Sequence, residues 1–221
     1  MRNKFYRFAL YCRHFGWISG VRLLLKISFS PKNKLISLQL PGLRSPVYIR
    51  AHTSDEFTFQ QIFLQHEYEF QEEIKPNYLL DAGANTGLAA IYFANRYPGV
   101  KIVCLEPEAG NFEILKKNIA AWPDITAVQG GLWRKSGYLK IVDLGLDNWG
   151  FTIKEIEQQD ENSITAFSMK DLMRHTSVSR FDWIKMDIEG SEKEVLEAPD
   201  AAEWLDNCNM LVIELHDRMK P

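Results

Sequence analysis

No carboxylate occurs before Asp55. The first 54 residues carry ten Lys and Arg and no acid, leaving 16 basic and 29 acidic residues for the remainder, a net of −13. Cysteine is scarce too: Cys12, Cys104 and Cys208 are odd in number and far apart. That excludes a disulfide framework and a Cys-rich zinc module, and makes a reducing cytoplasm the default compartment. Long apolar runs are also missing, because Arg2, Lys4, Arg7 and Arg13 interrupt the start of the chain. A cleaved signal peptide and a membrane span are therefore not expected. What is present suits an ordinary globular protein: 46% hydrophobic and 25% charged residues over 221 positions. Such a chain forms one domain with a small appendage, divided here as residues 1–76 and 77–221.

The informative stretch is Tyr78-Leu-Leu-Asp-Ala-Gly-Ala-Asn-Thr-Gly87. An apolar strand runs into Asp81, and a glycine-punctuated turn then opens an apolar helix. Glycines admit a ligand to the backbone, and free N–H groups at the helix start face it. Further on, the apolar strand Val100–Leu105 ends in Glu106, placed to accept both hydroxyls of a ribose. The dinucleotide fingerprint needs three glycines, but here Leu88 replaces the third and Asn85 occupies the place where a pyrophosphate would rest. S-adenosylmethionine carries an adenosine without phosphate, and its amino-acid end suits polar groups such as Asp81 and Asn85. The pattern therefore favours S-adenosylmethionine over NAD.

In chain order, a basic amphipathic helix precedes Ser30-Pro31, and its charges interleave with Phe5, Phe8, Phe15, Trp17 and Leu23–Leu25. Residues 1–34 either lie on a membrane surface or pack on their own domain or a second subunit. Leu35–Leu40 and Val47–Ala51 read as a hairpin, and a helix starts near Ser54. Glu67 and Tyr68 either cover the methionine end of the ligand or form a solvated helix face. From Tyr78 strands and helices alternate, the signature of a doubly wound α/β sheet. Ile125–Gln129 is the third strand, and Gly130, Gly131 and Leu132 after it either line an adenine or make a tight loop above a core Trp133. Residues 134–167 read as a β-hairpin insertion with a turn at 147–150, where Trp149 is a substrate wall or a buried anchor. Trp183–Met186 and Met210–Ile213 are the fourth and fifth strands.

Four of five strands end on ionisable residues: Asp81, Glu106, Asp187 with Glu189, and Glu214 with His216. In an open parallel sheet ligands sit beyond these carboxyl ends. The same residues carry a family resemblance. Asp81–Gly87, Leu105-Glu-Pro107, Trp183–Glu192 with its Lys-x-Asp-x-Glu-Gly element, and Ile213–Asp217 resemble the FkbM family of S-adenosylmethionine-dependent methyltransferases. Arg50 and the segment from Thr53 to Phe63 resemble that family's lead-in. The resemblance implies a Rossmann-like fold, O-methylation of a sugar, polyketide or related metabolite, and a cofactor site that includes Pro107. Methyltransferase sheets of this kind usually end in an antiparallel hairpin, for which no stretch remains before Pro221. The expectation is either a truncated chain or an edge covered by a neighbouring chain, as in a homodimer, or by the N-terminal strands.

For catalysis, Asp187 is the first candidate to orient the nucleophile or take its proton, and His216 the second. Glu189 is a further catalytic candidate, or it caps the next helix or binds Lys185. Asp187, Glu214 and His216, with Glu189 and Asp217 nearby, are the ligand set if a divalent metal is used, a less favoured reading. The acceptor is expected to be a small molecule or glycan. Nucleic acid is not expected, because the acidic edge repels phosphate. The alternatives are an NAD-dependent oxidoreductase and a non-catalytic interaction protein of the same fold.

Overall fold

The computed structural model describes residues 4–70, 74–143 and 151–214. Where the sequence suggests one N-terminal helix, the chain forms two, α1 (Lys4–Phe15) and α2 (Trp17–Ser28). They part at Gly16, whose φ of 77° lets the chain double back. The bare backbone of Gly20 then allows the two helices to touch, since a side chain there would meet the Tyr11 carbonyl. Strands β1 (Leu35–Leu38) and β2 (Val47–Arg50) pair antiparallel as their own two-stranded sheet. Helix α3 (Ser54–Phe63) follows, its first turn capped by the Thr53 hydroxyl accepting from the Asp55 N–H.

The core then alternates strand and helix: β3 (Tyr78–Ala82), α4 (Leu88–Arg96), β4 (Lys101–Glu106), α5 (Ala109–Ile119) and β5 (Ile125–Gln129). An insertion follows, comprising β6 (Gly131–Leu132), β7 (Gly137–Asp143), β8 (Phe151–Ile156) and β9 (Ile164–Phe167). These four strands form a second sheet in the order β6-β9-β7-β8, and the turn expected at 147–150, with Trp149, lies outside the described residues. The chain returns through α6 (Met169–Thr176), β10 (Trp183–Met186), α7 (Glu192–Leu196), α8 (Ala201–Leu205) and β11 (Met210–Ile213).

The main sheet is wholly parallel among the described residues, with order β11-β10-β3-β4-β5. This is a Rossmann-like α/β arrangement whose order reverses between β3 and β10. Alternation along each strand sorts the packing into two cores. Leu79, Ile102, Cys104 and Trp183 face α4 and the N-terminal elements. Leu80, Ala82, Val103, Leu105, Ile184 and Met186 face α6, α7 and α8. Period two therefore also puts Asp81, Glu106 and Lys185 on the α4 side. Strands β1 and β2 form a sheet of their own and do not pair with the β11 edge of the main sheet, where one sequence expectation set them as cover.

Candidate active site

Two strand tips meet at the switch in strand order. The β3–β10 register sets Asp81 directly beside Lys185, both fully or almost fully buried. A lysine in the middle of a buried strand must find anions, because an isolated ammonium is costly away from water. Lys185 Nζ lies 3.1 Å from Asp81 Oδ1 and 3.5 Å from Asp187 Oδ2, and it donates to the Gly83 carbonyl at 2.8 Å. Burial works against its charge, but Asp81 and Asp187 outweigh it and hold its pKa above the ordinary value. Burial raises the pKa of Asp81, against the pull of Lys185.

The glycine turn is fixed by close approach as much as by its dihedrals. Gly83 has φ 75°, and a Cβ there would lie 1.7 Å from the Asp187 carbonyl oxygen. Gly87, at φ 80°, presses on α5, where a Cβ would lie 2.4 Å from a Leu115 methyl group. Gly87 thus serves helix packing, the part a third glycine plays in dinucleotide folds. Asn85 adopts φ 49°, and its N–H donates to Glu106 Oε2 at 2.8 Å. The other Glu106 oxygen accepts from the Glu108 N–H at 2.9 Å. Burial dominates these hydrogen bonds and pushes the Glu106 carboxyl up to about 6.

Besides Asp81 Oδ1, which Lys185 pairs, three buried polar atoms here lack a hydrogen-bond partner: Asp81 Oδ2, Asn85 Oδ1 and Thr86 Oγ1. Such atoms are rare in a folded interior, and three of them gather at the β3 tip and the turn after it, where a polar ligand could complete the bonding. A cavity of about 60 Å³ opens here, its lining including Glu67, Tyr68, Asn85, Lys185, Asp187 and Glu214. Loss of solvation, then the carboxylates of Glu214 and Asp187, raises the pKa of Glu67. Burial does the same for the Tyr68 hydroxyl.

Other predicted residues fall at different distances from this centre. Pro107 follows directly on the β4 tip, and the Gly130 N–H donates to the Glu106 carbonyl, so both flank Glu106. Gly131 pairs with β9, and the Leu132 side chain is buried in the core behind the sheet, while Trp133 packs with Leu139 and Ala166. Glu189 is exposed at a left-handed position, φ 53°. The turn around it is bound by Glu192, whose carboxylate accepts from the Ile188 and Gly190 N–H groups. His216 and Asp217 lie outside the described residues; among those described, no group of three or more His, Cys, Asp or Glu is arranged to hold a metal ion.

Two supports were missed from the sequence as parts of the site. Asp55, fully buried, takes a two-pronged ion pair from Arg50, with Nε–Oδ2 2.9 Å and Nη2–Oδ1 2.6 Å. Arg50 also donates to Asn111 Oδ1 at 2.6 Å, and the Asn111 amide stands 3.5 Å from Glu106 Oε1. On α5, the buried Asn118 amide donates to the carbonyls of Thr86 and Tyr48 and accepts from the Tyr48 N–H. An acid directly after a helix cap, as at Thr53-Ser-Asp55, was the available signal for the first. An Asn set among the buried Ile114, Leu115 and Ile119 of α5 was the signal for the second.

A family model described as the methyltransferase FkbM domain matches residues 81–221, more than half of the chain. The chain belongs to the FkbM methyltransferase family. This FkbM-family chain is 24% identical to methyltransferase sdnD of Sordaria araneosa, over 73% of its own length and 75% of that protein. It is 22% identical to the 31-O-demethyl-FK506 methyltransferase FkbM of Streptomyces tacrolimicus, over 82% of each. Among solved structures, methyltransferase FkbM from Methylobacillus flagellatus KT aligns with a TM-score of 0.45 and 20% identity, over 63% of this chain and 32% of that one. The matched part is thus about a third of that solved chain.

Proposed function

We propose that this chain transfers a methyl group from S-adenosylmethionine to a hydroxyl of a sugar, glycan or secondary metabolite. The observation that carries the reading is the set of buried oxygens without a hydrogen-bond partner, Asp81 Oδ2, Asn85 Oδ1 and Thr86 Oγ1, beside the Lys185–Asp81 Oδ1 ion pair. They fit a ligand that brings an ammonium and hydroxyls rather than phosphate. When bound, S-adenosylmethionine supplies an electrophilic methyl group on a sulfonium. Asp81 and Asn85 would hold its amino-acid end, with Glu67 and Tyr68 over it, Glu106 its ribose and the Gly130 segment its adenine.

The protein's own contribution is alignment, worth about 7–11 kcal/mol of a barrier in well-oriented systems, and proton removal from the hydroxyl. Asp187 is the residue we assign to the second task. Its side chain lines the cavity, is 28% exposed and is held by Lys185 at 3.5 Å. A positioned base is worth about 10²–10⁴-fold. Titration calorimetry with S-adenosylmethionine, S-adenosylhomocysteine and NADH tests the cofactor; binding of NADH alone would overturn the reading. Asp187→Asn is expected to bind S-adenosylmethionine within a few-fold of the parent and to lose about 10²–10⁴-fold in turnover, as measured on a panel of hydroxylated acceptors. Full turnover would remove Asp187 from the chemistry.

The raised Glu106 pKa adds a pH dependence with a fixed sign. Ribose hydroxyls donate to the ionised carboxylate, so binding favours the deprotonated form. Below about pH 6 the free protein holds a proton on Glu106 that binding must expel. The dissociation constant for S-adenosylhomocysteine is therefore expected to rise by up to about tenfold per pH unit below 6 and to be flat above it, on proton-linkage grounds. Calorimetry in a pH series measures this, and Glu106→Gln should flatten the profile.

A further inference from the structure

Helix α2 buries one side only. Gly20, Leu23 and Ile27 face the core, together with Tyr11 from α1. The opposite side carries Ile18, Arg22, Leu25 and Phe29 at positions i, i+4, i+7 and i+11, one stripe of an α-helix. That stripe is open to solvent: Ile18 is 87% exposed, Phe29 83% and Leu25 48%, with Trp17 beside it at 70%. A helix apolar on both sides normally meets a second apolar phase.

We infer that the outer face of α2 docks on the surface of an anionic lipid bilayer. The charge around the stripe selects this occupant. Arg13, Arg22, Lys26, Lys32 and Lys34 are all exposed, and no carboxylate lies in the first 54 residues to neutralise them. Lipid phosphates and anionic headgroups complement such a face. A second copy meeting it through a two-fold axis would set these cations against each other. At 12 residues α2 is too short to cross a bilayer, and no helix among the described residues is long and apolar enough to do so. It lies in the interface instead, with Trp17, Ile18, Leu25 and Phe29 in the acyl boundary and Arg22 and Lys26 reaching back to the headgroups.

The inference does not rest on the methyl-transfer reading, and the test does not use turnover. The full chain is sedimented with vesicles of phosphatidylcholine alone and of phosphatidylcholine mixed equally with phosphatidylglycerol. Binding is expected only to the mixed vesicles, and it should weaken at high salt. Ile18→Ser/Phe29→Ser and Arg22→Glu/Lys26→Glu each change exposed residues; both pairs are expected to keep the parent's thermal midpoint and bind at least tenfold more weakly. Absence of binding to mixed vesicles overturns the proposal, as does binding that neither pair alters. A monomer–dimer equilibrium in analytical ultracentrifugation that the Ile18→Ser/Phe29→Ser pair abolishes would assign the face to a second copy and also overturn it.

Discussion

A Gly83→Ala protein is expected to lose S-adenosylmethionine binding altogether and to unfold at markedly lower denaturant. Two costs add at this position. A left-handed φ of 75° costs an L-residue about 1–2 kcal/mol. The larger cost is steric: the new Cβ would stand 1.7 Å from the Asp187 carbonyl oxygen, so β3 and β10 cannot keep their spacing. Relief requires the Asp187 tip to move away, which also withdraws the Asp187 carboxylate and disturbs the Lys185 bond to the Gly83 carbonyl. Gly99→Ala separates the two costs, because Gly99 has φ 90° and nothing within 4 Å of its would-be Cβ. That variant should lose only the backbone increment and bind ligand normally. Calorimetric titration and urea unfolding of both proteins decide the matter; a Gly83→Ala protein that still binds within a few-fold would refute the close-approach argument.

Lys185→Met carries the second large effect. The substitution conserves the length and apolar stem of the side chain while stranding Asp81, which is fully buried, without its counter-charge. Removing one partner of a buried ion pair typically costs about 3–5 kcal/mol, and the Gly83 carbonyl loses its donor as well. The double variant Lys185→Met/Asp81→Asn removes the stranded charge, so part of the stability should return, giving a favourable coupling energy between the two sites. Ligand binding should not return, because the neutral pair no longer offers a carboxylate to an ammonium. Urea unfolding of the four proteins of the cycle measures the coupling. If Lys185→Met were as stable as the parent, the pair would not organise the site.

The sequence made the strand tips legible because each is a local event: an apolar run, then an acid, then a glycine. The α4 turn and the run from Trp183 to Glu192 are such events, and the alternation of strand with helix along the chain was enough to announce a parallel sheet. The partners of those tips were not local. Arg50 meets Asp55 nearby but reaches Asn111 across 61 residues, and Asn118 reaches Thr86 across 32. Lys185 was visible in its motif, yet its bond to Asp81 follows from strand order, which no single segment encodes. The break at Gly16 was hidden for a different reason. Helical spacing continues through it on both sides, and only the contact of Gly20 with Tyr11 shows why the chain turns there.

The Lys185–Gly83 bond joins residues 102 positions apart. During synthesis at about 5–20 residues per second, roughly 5–20 s separate the appearance of the two ends. Through that interval β3 and β4 have their helices but lack the neighbour that β10 supplies, and the β3 edge remains a bare row of backbone donors and acceptors. Closing so long a loop also places the final step late on the folding path, since the entropy of closure precedes any reward from the contacts. A nascent chain therefore becomes competent to hold its ligand only once β10 has been made and has docked beside β3.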